Sequence, residues 1–199
     1  MALTESTMME LGSFAPDFSL PSTDGEQLSL ADFKDAKLLV VLFICNHCPY
    51  VIHIAPALKK LSDTYLAKSV AFVAISSNDV EHYPADSFEL MAKEKAKRAY
   101  QFPYLYDQEQ KVARAYQAAC TPDIYVFDET RKLAYRGEFD GSRPTRISSG
   151  NYRSDNQATG ESLAKALDTL LAGDKINTTQ YPSIGCNIKW KAGNEPDYV

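Results

Sequence analysis

Residues 43–50 read FICNHCPY, and they join a predicted strand to a predicted helix through two cysteines at C-x-x-C spacing. Upstream, residues 37–44 are apolar on both faces, which predicts a strand at the centre of a sheet. Downstream, apolar residues recur at intervals of three and four, which predicts an amphipathic helix. These residues are Val51, Ile54, Leu58, Leu61 and Tyr65. Cys45 and Cys48 are therefore predicted to lie where a central strand ends and a helix begins.

A cysteine pair at the start of a helix is suited to redox chemistry. Unpaired backbone N–H groups and the positive end of the helix dipole stabilise a thiolate there. In such sites the thiol pKa falls from about 8.5 to roughly 3.5–7.5. A thiolate can attack a disulfide, and its neighbour can then resolve the mixed disulfide. Cys45 and Cys48 are the candidate catalytic residues, and Pro49 suits the first helical turn, where its missing N–H costs little.

Length and composition set the broad class of the protein. The 199 residues are 45% hydrophobic and 24% charged, which predicts one soluble globular domain over residues 1–199. A net charge of −5 argues against a nucleic-acid partner. The sequence has no run of 18 apolar residues, so no membrane span is expected. Residues 1–14 lack the basic start of a secretory signal, so we expect a cytoplasmic protein, where close cysteine pairs are seldom structural disulfides.

The order of predicted elements indicates an α/β fold, because strands alternate with helices. A β-hairpin extension is predicted at the N-terminus over residues 15–33, followed by a mixed central sheet flanked by helices. Further strands are predicted at residues 69–76, 103–106, 124–127 and 132–136, and further helices at 86–99, 108–118 and 161–172. Residues 141–160 form a predicted long polar loop. Residues 174–199 are predicted to be an irregular tail packed on or over the domain.

This order of elements resembles that of the thioredoxin superfamily. The match comprises a strand, the C-x-x-C pair, a helix that contains Pro56, and a later Thr-Pro step at Thr121 and Pro122. The resemblance implies a thioredoxin-like fold. It also implies that Pro122 is a cis-proline lying beside the cysteine pair, since cis bonds are nearly confined to X–Pro.

Four short motifs narrow the resemblance to one branch of that superfamily. Residues 15–20 read APDFSL, residues 45–50 CNHCPY, residues 120–123 CTPD and residues 185–190 GCNIKW. Together they resemble the peroxiredoxin-like thioredoxin-family proteins of the alkyl hydroperoxide reductase/thiol-specific antioxidant branch. The resemblance implies a thiol-disulfide oxidoreductase with no bound cofactor, which needs an external dithiol as electron donor. Its substrate would be a disulfide-bearing protein, a small thiol or a peroxide.

The two groups of relatives imply different attacking cysteines. In thioredoxins the first cysteine of the pair attacks, which corresponds to Cys45. In peroxiredoxins the reactive cysteine precedes a proline, which corresponds to Cys48, and Cys45 then replaces the usual hydroxyl residue. The peroxiredoxin arginine has no counterpart here, since Thr121 and Pro122 occupy the expected region, and this favours disulfide exchange over peroxide reduction. A slow redox-sensing or binding module is the third interpretation.

Histidines near the pair allow a metal-binding alternative. Cys45 and Cys48 together with His47 and His53 would offer four zinc ligands. A structural zinc site usually takes its second pair of ligands from a separate C-x-x-C or H-x3–5-H, and the sequence has none outside this segment. No metal is therefore expected. His47 is either a donor that supports a thiolate or an exposed loop residue. His53 lies in the first turns of the predicted helix, and this position favours packing over a chemical role.

Two further cysteines are candidate accessory thiols. Cys120 precedes Pro122 by two positions and is either a small core residue or a redox partner. Cys186 lies in the tail and would either resolve an intermediate formed at Cys48 or pair with Cys120; the sequence leaves the pairing open. Three arginines of the polar loop could form an anion site, although a solvated loop is the favoured interpretation. They are Arg143, Arg146 and Arg153.

Overall fold

The structure, a computed structural model, describes residues 3–198. Its strands, in chain order, are β1 (Leu3–Glu5), β2 (Ser19–Pro21), β3 (Gln27–Ser29), β4 (Leu38–Phe43), β5 (Val70–Ser76), β6 (Tyr104–Tyr106), β7 (Cys120–Thr121), β8 (Asp123–Phe127), β9 (Leu133–Arg136), β10 (Thr145–Ser148), β11 (Asn151–Arg153) and β12 (Ile184–Asn187). Its α-helices are α1 (Pro49–Leu66), α2 (Phe88–Arg98), α3 (Lys111–Ala115) and α4 (Glu161–Leu171).

The central sheet is mixed, as the sequence predicts. Its five strands have the order β6-β5-β4-β8-β9. Strand β4 runs parallel to β5 and antiparallel to β8, and all six of its residues are buried. A strand covered on both faces needs apolar side chains at every position, which explains the continuous run LLVVLF. This central strand ends at Phe43, two residues before the cysteine pair begins.

Helix α1 packs its predicted apolar face into the core. The five residues spaced at three and four positions, from Val51 to Tyr65, are all buried. Pro56 lies within this helix. The side chains of α1 share one apolar cluster with α4 and one face of β4, and the opposite face of β4 packs against a second cluster. The helix therefore holds its N-terminus fixed at the end of the central strand.

The N-terminal hairpin is confirmed. Strands β2 and β3 pair antiparallel, with Ser19 opposite Ser29 and Leu20 opposite Leu28. A short 3-10 helix, Leu30–Phe33, follows directly. Phe18 and Leu20 are buried against the second apolar cluster, so the hairpin covers the sheet away from α1.

Two predicted helices have different bounds. Residues Pro84–Asp86 form a 3-10 turn, and α2 begins only at Phe88, because Ser87 accepts the Leu90 N–H and caps the helix. Helix α3 is shorter than predicted, since Gln110 has a φ of 60° and breaks the helical path before it. The Gln110 amide instead donates to the backbone carbonyls of Ser77 and Lys189.

The long polar loop and the tail are more ordered than the sequence predicts. Strands β10 and β11 form a hairpin within residues 141–160. In the tail, β12 pairs antiparallel with both β1 and β7 and forms a second, three-stranded sheet. These partners are distant in sequence, so the local pattern of the tail does not reveal the strand. None of the helices within residues 3–198 has the length and apolar character needed to cross a bilayer.

Thr159 lies two positions before Glu161, the first residue of α4, and its hydroxyl accepts the backbone N–H of Glu161 at 3.4 Å. Gly160 occupies the capping position with a φ of 73°. The N–H groups of Thr159 and Gly160 donate to Asp140 at 2.6 and 2.7 Å, so a carboxylate distant in sequence receives them. Asp140 thereby ties the end of the polar loop to the helix.

Candidate active site

The cysteine pair lies at the junction of β4 and α1, as the sequence predicts. Cys48 is the N-cap residue of α1 and Pro49 is its first helical residue. Both sulfurs are inaccessible, with Cys45 2% exposed and Cys48 fully buried. The cysteines are present as thiols rather than disulfides. Reaction with a partner therefore requires the surroundings of the pair to open.

Thr121 and Pro122 lie against the pair, and the bond between them is cis, as the resemblance implies. The Cys48 thiol donates to the Thr121 carbonyl at 3.0 Å. The hydroxyl of Thr121 lies 3.6 Å from the sulfur of Cys45. One residue thus contacts both sulfurs, through its backbone and through its side chain.

The environment of Cys48 favours a thiolate. Burial raises the pKa of Cys48, but hydrogen bonds from the thiols of Cys186 and Cys45, from Thr121 and from the backbone N–H of Val51 together bring the pKa well below its ordinary value. The Val51 N–H belongs to the first turn of α1, where the helix dipole adds to the effect. Of the two sulfurs of the pair, the surroundings therefore favour ionisation of Cys48.

The environment of Cys45 favours the protonated form. Its hydrogen bond to Cys48 raises the pKa of Cys45 well above the ordinary value, and burial and the negative charges of Cys48 and Asp86 act in the same direction. The two thiols are therefore distinct: one acidic and one that retains its proton. The sequence left open which cysteine attacks, and this arrangement favours Cys48.

Asp86 is a site residue that sequence reasoning missed. Its side chain is fully buried and accepts the backbone N–H of Asn46 at 2.8 Å and the amide of Asn78 at 2.7 Å. Nδ1 of His47 lies 2.7 Å from the same carboxylate. The carboxylate thereby fixes the segment between the two cysteines. The sequence pattern predicts that Asp86 begins the helix over residues 86–99, and Pro84 two positions earlier is the only local signal for the turn that the structure shows.

His47 and its neighbours also bear on the metal alternative. Cys45, His47 and Asp86 present ligand atoms within 4.8 Å of one another, a different set from the one considered in the sequence. These are three ligands where a structural zinc takes four, and Asp86 already accepts two hydrogen bonds. We assign the cluster to organising the loop, with the His47 ring stacked on Tyr83 at 5.9 Å between centroids.

His53 is buried, and it joins α1 to the polar loop. Its Nδ1 lies 2.8 Å from the hydroxyl of Ser154, and its Nε2 lies 2.9 Å from the hydroxyl of Ser142. Burial lowers the pKa of His53. Among the described residues, His53 does not belong to the group of possible metal ligands at the cysteine pair. The loop that His53 holds covers one side of the α1 N-terminus, where Tyr152 contacts Tyr50 with 6.0 Å between ring centroids.

A cleft of about 270 Å³ opens beside the start of α1. Its lining combines the active-site loop, the first turns of α1 and the polar loop, through His47, Pro49, Ile52, Pro144, Gly150, Asn151, Tyr152 and Ser154. Pro49, the neighbour of Cys48 in the chain, is thus exposed to this cleft.

The two accessory cysteines have different surroundings. The Cys120 thiol donates to the carbonyls of Pro122 at 3.5 Å and Ser183 at 3.8 Å, and burial raises its pKa. Cys186 lies opposite Thr121 in the pairing of β12 with β7, and its thiol hydrogen-bonds with Cys48. The structure therefore places Cys186, rather than Cys120, beside Cys48.

The loop arginines do not form a common anion site. Arg143 pairs with Glu138 at 2.9 Å and donates to the backbone carbonyls of Asp140 and Ser142. Arg153 pairs with Asp155 on the loop surface. Arg153 is thus a solvated loop residue, as the favoured interpretation predicts. Arg143 instead holds the loop together through its carboxylate and carbonyl partners.

The fold and the dithiol beside a cis-proline define the class of thioredoxin-like oxidoreductases. Residues 11–136 match the AhpC/TSA family, and the chain belongs to that family. The chain is similar to an uncharacterized conserved protein from Geobacillus kaustophilus whose crystal structure is known. The two sequences are 49% identical, the TM-score is 0.89, and the match covers 96% of this chain and 97% of that one. The thioredoxin domain of a thiol-disulfide oxidoreductase from Bacteroides vulgatus, 21% identical over 64% of this chain and 88% of that one, shares the fold with a TM-score of 0.56.

Relatives with named activities are more distant. Thioredoxin-like protein YneN of Bacillus subtilis (strain 168) is 32% identical over 126 residues, which cover 59% of this chain and 65% of that protein. Thiol-disulfide oxidoreductase ResA of Geobacillus kaustophilus (strain HTA426) is 28% identical over 136 residues, which cover 65% of this chain and 70% of that protein. The chain thus spans a little under two thirds of the first relative. Family and relatives together support an oxidoreductase role.

Proposed function

We propose that this protein catalyses thiol–disulfide exchange, with Cys48 as the attacking thiolate and Cys45 as the resolving thiol. The observation that carries the proposal is the opposite shift of the two thiol pKa values beside the cis-proline at position 122. The Cys48 thiolate attacks a substrate disulfide, and one substrate sulfur leaves and takes a proton. Cys45 then loses its proton and attacks the Cys48 sulfur, which releases the second substrate thiol and leaves a Cys45–Cys48 disulfide.

The substrate class follows from the shape of the site. We propose that a disulfide-bearing protein places an extended segment along Pro122 and into the cleft beside Pro49, with backbone hydrogen bonds supplying part of the affinity. Because both sulfurs are buried, the segments that cover them have to move when the substrate binds. In the cytoplasm, where we propose that the protein acts, an external dithiol returns the pair to its reduced form.

Reduction of insulin by a small dithiol tests this function. We expect the wild type to accelerate the reaction and Cys48→Ser to lose that acceleration. Cys120→Ser is the matched control, because Cys120 is another buried thiol whose proton is directed at backbone carbonyls. A Cys48→Ser variant as active as the wild type would contradict the proposal. Negligible activity of the wild type together with a stable Cys45–Cys48 disulfide would instead indicate a slow redox sensor.

Peroxide reduction is the second candidate, and the thiolate on Cys48 next to Pro49 favours it. The groups that lower the pKa of Cys48 are neutral donors. Arg143, a cation near the same cleft, is already paired with Glu138. Because little then stabilises the charge that develops on the departing oxygen, we expect slow reaction with peroxide. Stopped-flow mixing of Cys45→Ser with peroxide measures this rate. Rapid formation of sulfenic acid on Cys48 would show that peroxide reduction is the main activity.

A further inference from the structure

The reactive sulfur has two thiol neighbours that come from different parts of the chain. Cys45 reaches Cys48 from the end of β4, through the local C-x-x-C spacing. Cys186 reaches it from β12, more than a hundred residues later. Both thiols hydrogen-bond with Cys48, and all three residues belong to one buried cluster. A disulfide forms when two such sulfurs approach to about 2.05 Å.

The fold holds Cys186 in this position by a close contact between β12 and β7. Cys186 pairs with Thr121, the residue whose carbonyl accepts from the Cys48 thiol. Its neighbour Gly185 approaches so closely that a β-carbon there would lie 2.0 Å from the Thr121 carbonyl oxygen. A side chain at position 185 would therefore push β12 away from the cysteine pair. This contact places one thiol of the tail beside the site.

We propose that Cys186 is a second resolving cysteine, so that Cys48 forms a disulfide with either Cys45 or Cys186. The proposal rests on the proposed function, in which Cys48 attacks first. After Cys48 forms a mixed disulfide with the substrate, Cys186 loses its proton and attacks the Cys48 sulfur. The substrate sulfur leaves and takes up that proton. The substrate disulfide is thus the oxidant, and two protein thiols are oxidised for two substrate thiols released.

The two disulfides interconvert without a further oxidant. Once Cys48 is bonded to Cys186, Cys45 can attack the Cys48 sulfur and expel Cys186 as the leaving thiol. Hydrogen bonding to Cys48 and burial raise the pKa of Cys186, so it keeps its proton until Cys48 has reacted. Cys120 does not share this role, because its thiol faces the carbonyls of Pro122 and Ser183.

Peptide mapping with a small disulfide as oxidant tests the proposal. Trypsin leaves Cys45 and Cys48 together in residues 38–59 and Cys186 in residues 176–189. Oxidised glutathione applied to Cys45→Ser should give these two peptides joined by a disulfide. Adding Cys120→Ser should leave the joined peptide unchanged. In Cys45→Ser/Cys186→Ser, Cys48 should instead keep glutathione at least about tenfold longer than in Cys45→Ser, since no thiol remains to displace it.

A pair of glycine variants tests the geometry without removing a thiol. In a Cys45→Ser background, Gly185→Ala should abolish the joined peptide because β12 is displaced. Gly141→Ala should retain it, since a β-carbon at that position meets nothing within 4 Å. Circular dichroism confirms that each variant is folded, and Cys186→Ala replaces Cys186→Ser if the serine variant does not fold.

The failures of the two proposals differ. If Cys45→Ser holds glutathione on Cys48 as long as the double variant does, Cys186 is not a resolving cysteine, while attack by Cys48 stands. If wild-type Cys48 forms neither a glutathione adduct nor an internal disulfide, the proposed function itself is wrong.

Discussion

At the scale of single residues, the side chain of Thr121 affects the pKa of both thiols of the pair. Its hydroxyl lies 3.6 Å from the Cys45 sulfur, and hydrogen bonding by this side chain lowers the pKa of Cys45 and of Cys48. A hydrogen bond to a charged group contributes about 1.5–3 kcal/mol. We expect Thr121→Val to raise the pKa of the Cys48 thiol and to slow its alkylation at neutral pH by about tenfold, as 1.4 kcal/mol corresponds to about tenfold.

Thr121→Ser is the matched control for that change, because it retains the hydroxyl and the cis-proline neighbour. Alkylation by iodoacetamide over a range of pH, followed by mass spectrometry of residues 38–59, separates a pKa change from a change in access. A pKa of Cys48 that is the same in Thr121→Val and Thr121→Ser would show that the hydroxyl does not stabilise the thiolate.

The residues that could be predicted from the sequence are those whose contacts are local. Cys45 and Cys48 are three positions apart, and a strand followed by a helix fixes their relation without any distant partner. Thr121 and Pro122 were placed by resemblance alone. Asp86 could not be predicted, since its role depends on a turn after β5 packing against Asn46 and His47. A charged residue before a run of lysines and glutamates otherwise indicates a surface helix.

At the scale of elements, His53 fastens the polar loop to α1. Ser142 donates its hydroxyl proton to Asp140 and therefore accepts from Nε2–H of His53. Nδ1 of His53 is then left to accept from Ser154. The neutral imidazole thus joins both ends of the loop. Asp140 and Arg143 face the same ring, and Asp140 raises its pKa while Arg143 lowers it.

This arrangement predicts that the loop opens in acid. Burial holds the pKa of His53 below its ordinary value of 6.5, so the open state binds the proton more readily than the closed state. The contribution of His53 to closure is therefore complete above pH 6.5 and is lost as the pH falls through its lowered pKa. Hydrogen exchange in residues 142–154, corrected for intrinsic rates, should show at least about twofold less protection near pH 5.5 than near pH 7.5.

His53→Gln tests the assignment, because glutamine hydrogen-bonds but does not titrate in this range. The variant should lose the pH dependence of protection in the loop. His82→Gln is the control: His82 is exposed, and its hydrogen bond to Asp79 raises its pKa, so its effect has the opposite sign and lies outside the loop. Loop protection that still falls in acid in His53→Gln would assign the opening to another group.

At the scale of the whole molecule, a strand from the N-terminal segment and a strand from the C-terminal segment of the described residues meet beside the site. Strand β1 pairs with β12, and β12 pairs with β7, which leads into the cis-proline. The sequence predicted the central sheet well, because its strands are long apolar runs. It did not reveal the three-stranded sheet, since strands of two to four residues carry little periodicity and their pairing is fixed only by distant partners. The position of Cys186 depends on that sheet.

Removing the outer strand should therefore expose the tail cysteine while sparing Cys45. Deletion of residues 1–6 removes the partner of Cys186 in β1 and the bond from the Ser6 N–H to the Ser183 carbonyl at 2.9 Å. As an edge strand, β12 would then open more often, and a loss of about 1.4 kcal/mol in local stability corresponds to about tenfold faster alkylation of Cys186. Cys45 serves as the internal control, because β4 holds it independently of β1, whereas Cys48 contacts Cys186 directly. Equal acceleration at Cys45 and Cys186 would indicate global loosening instead, and an unchanged rate at Cys186 would show that β7 alone holds β12 in place.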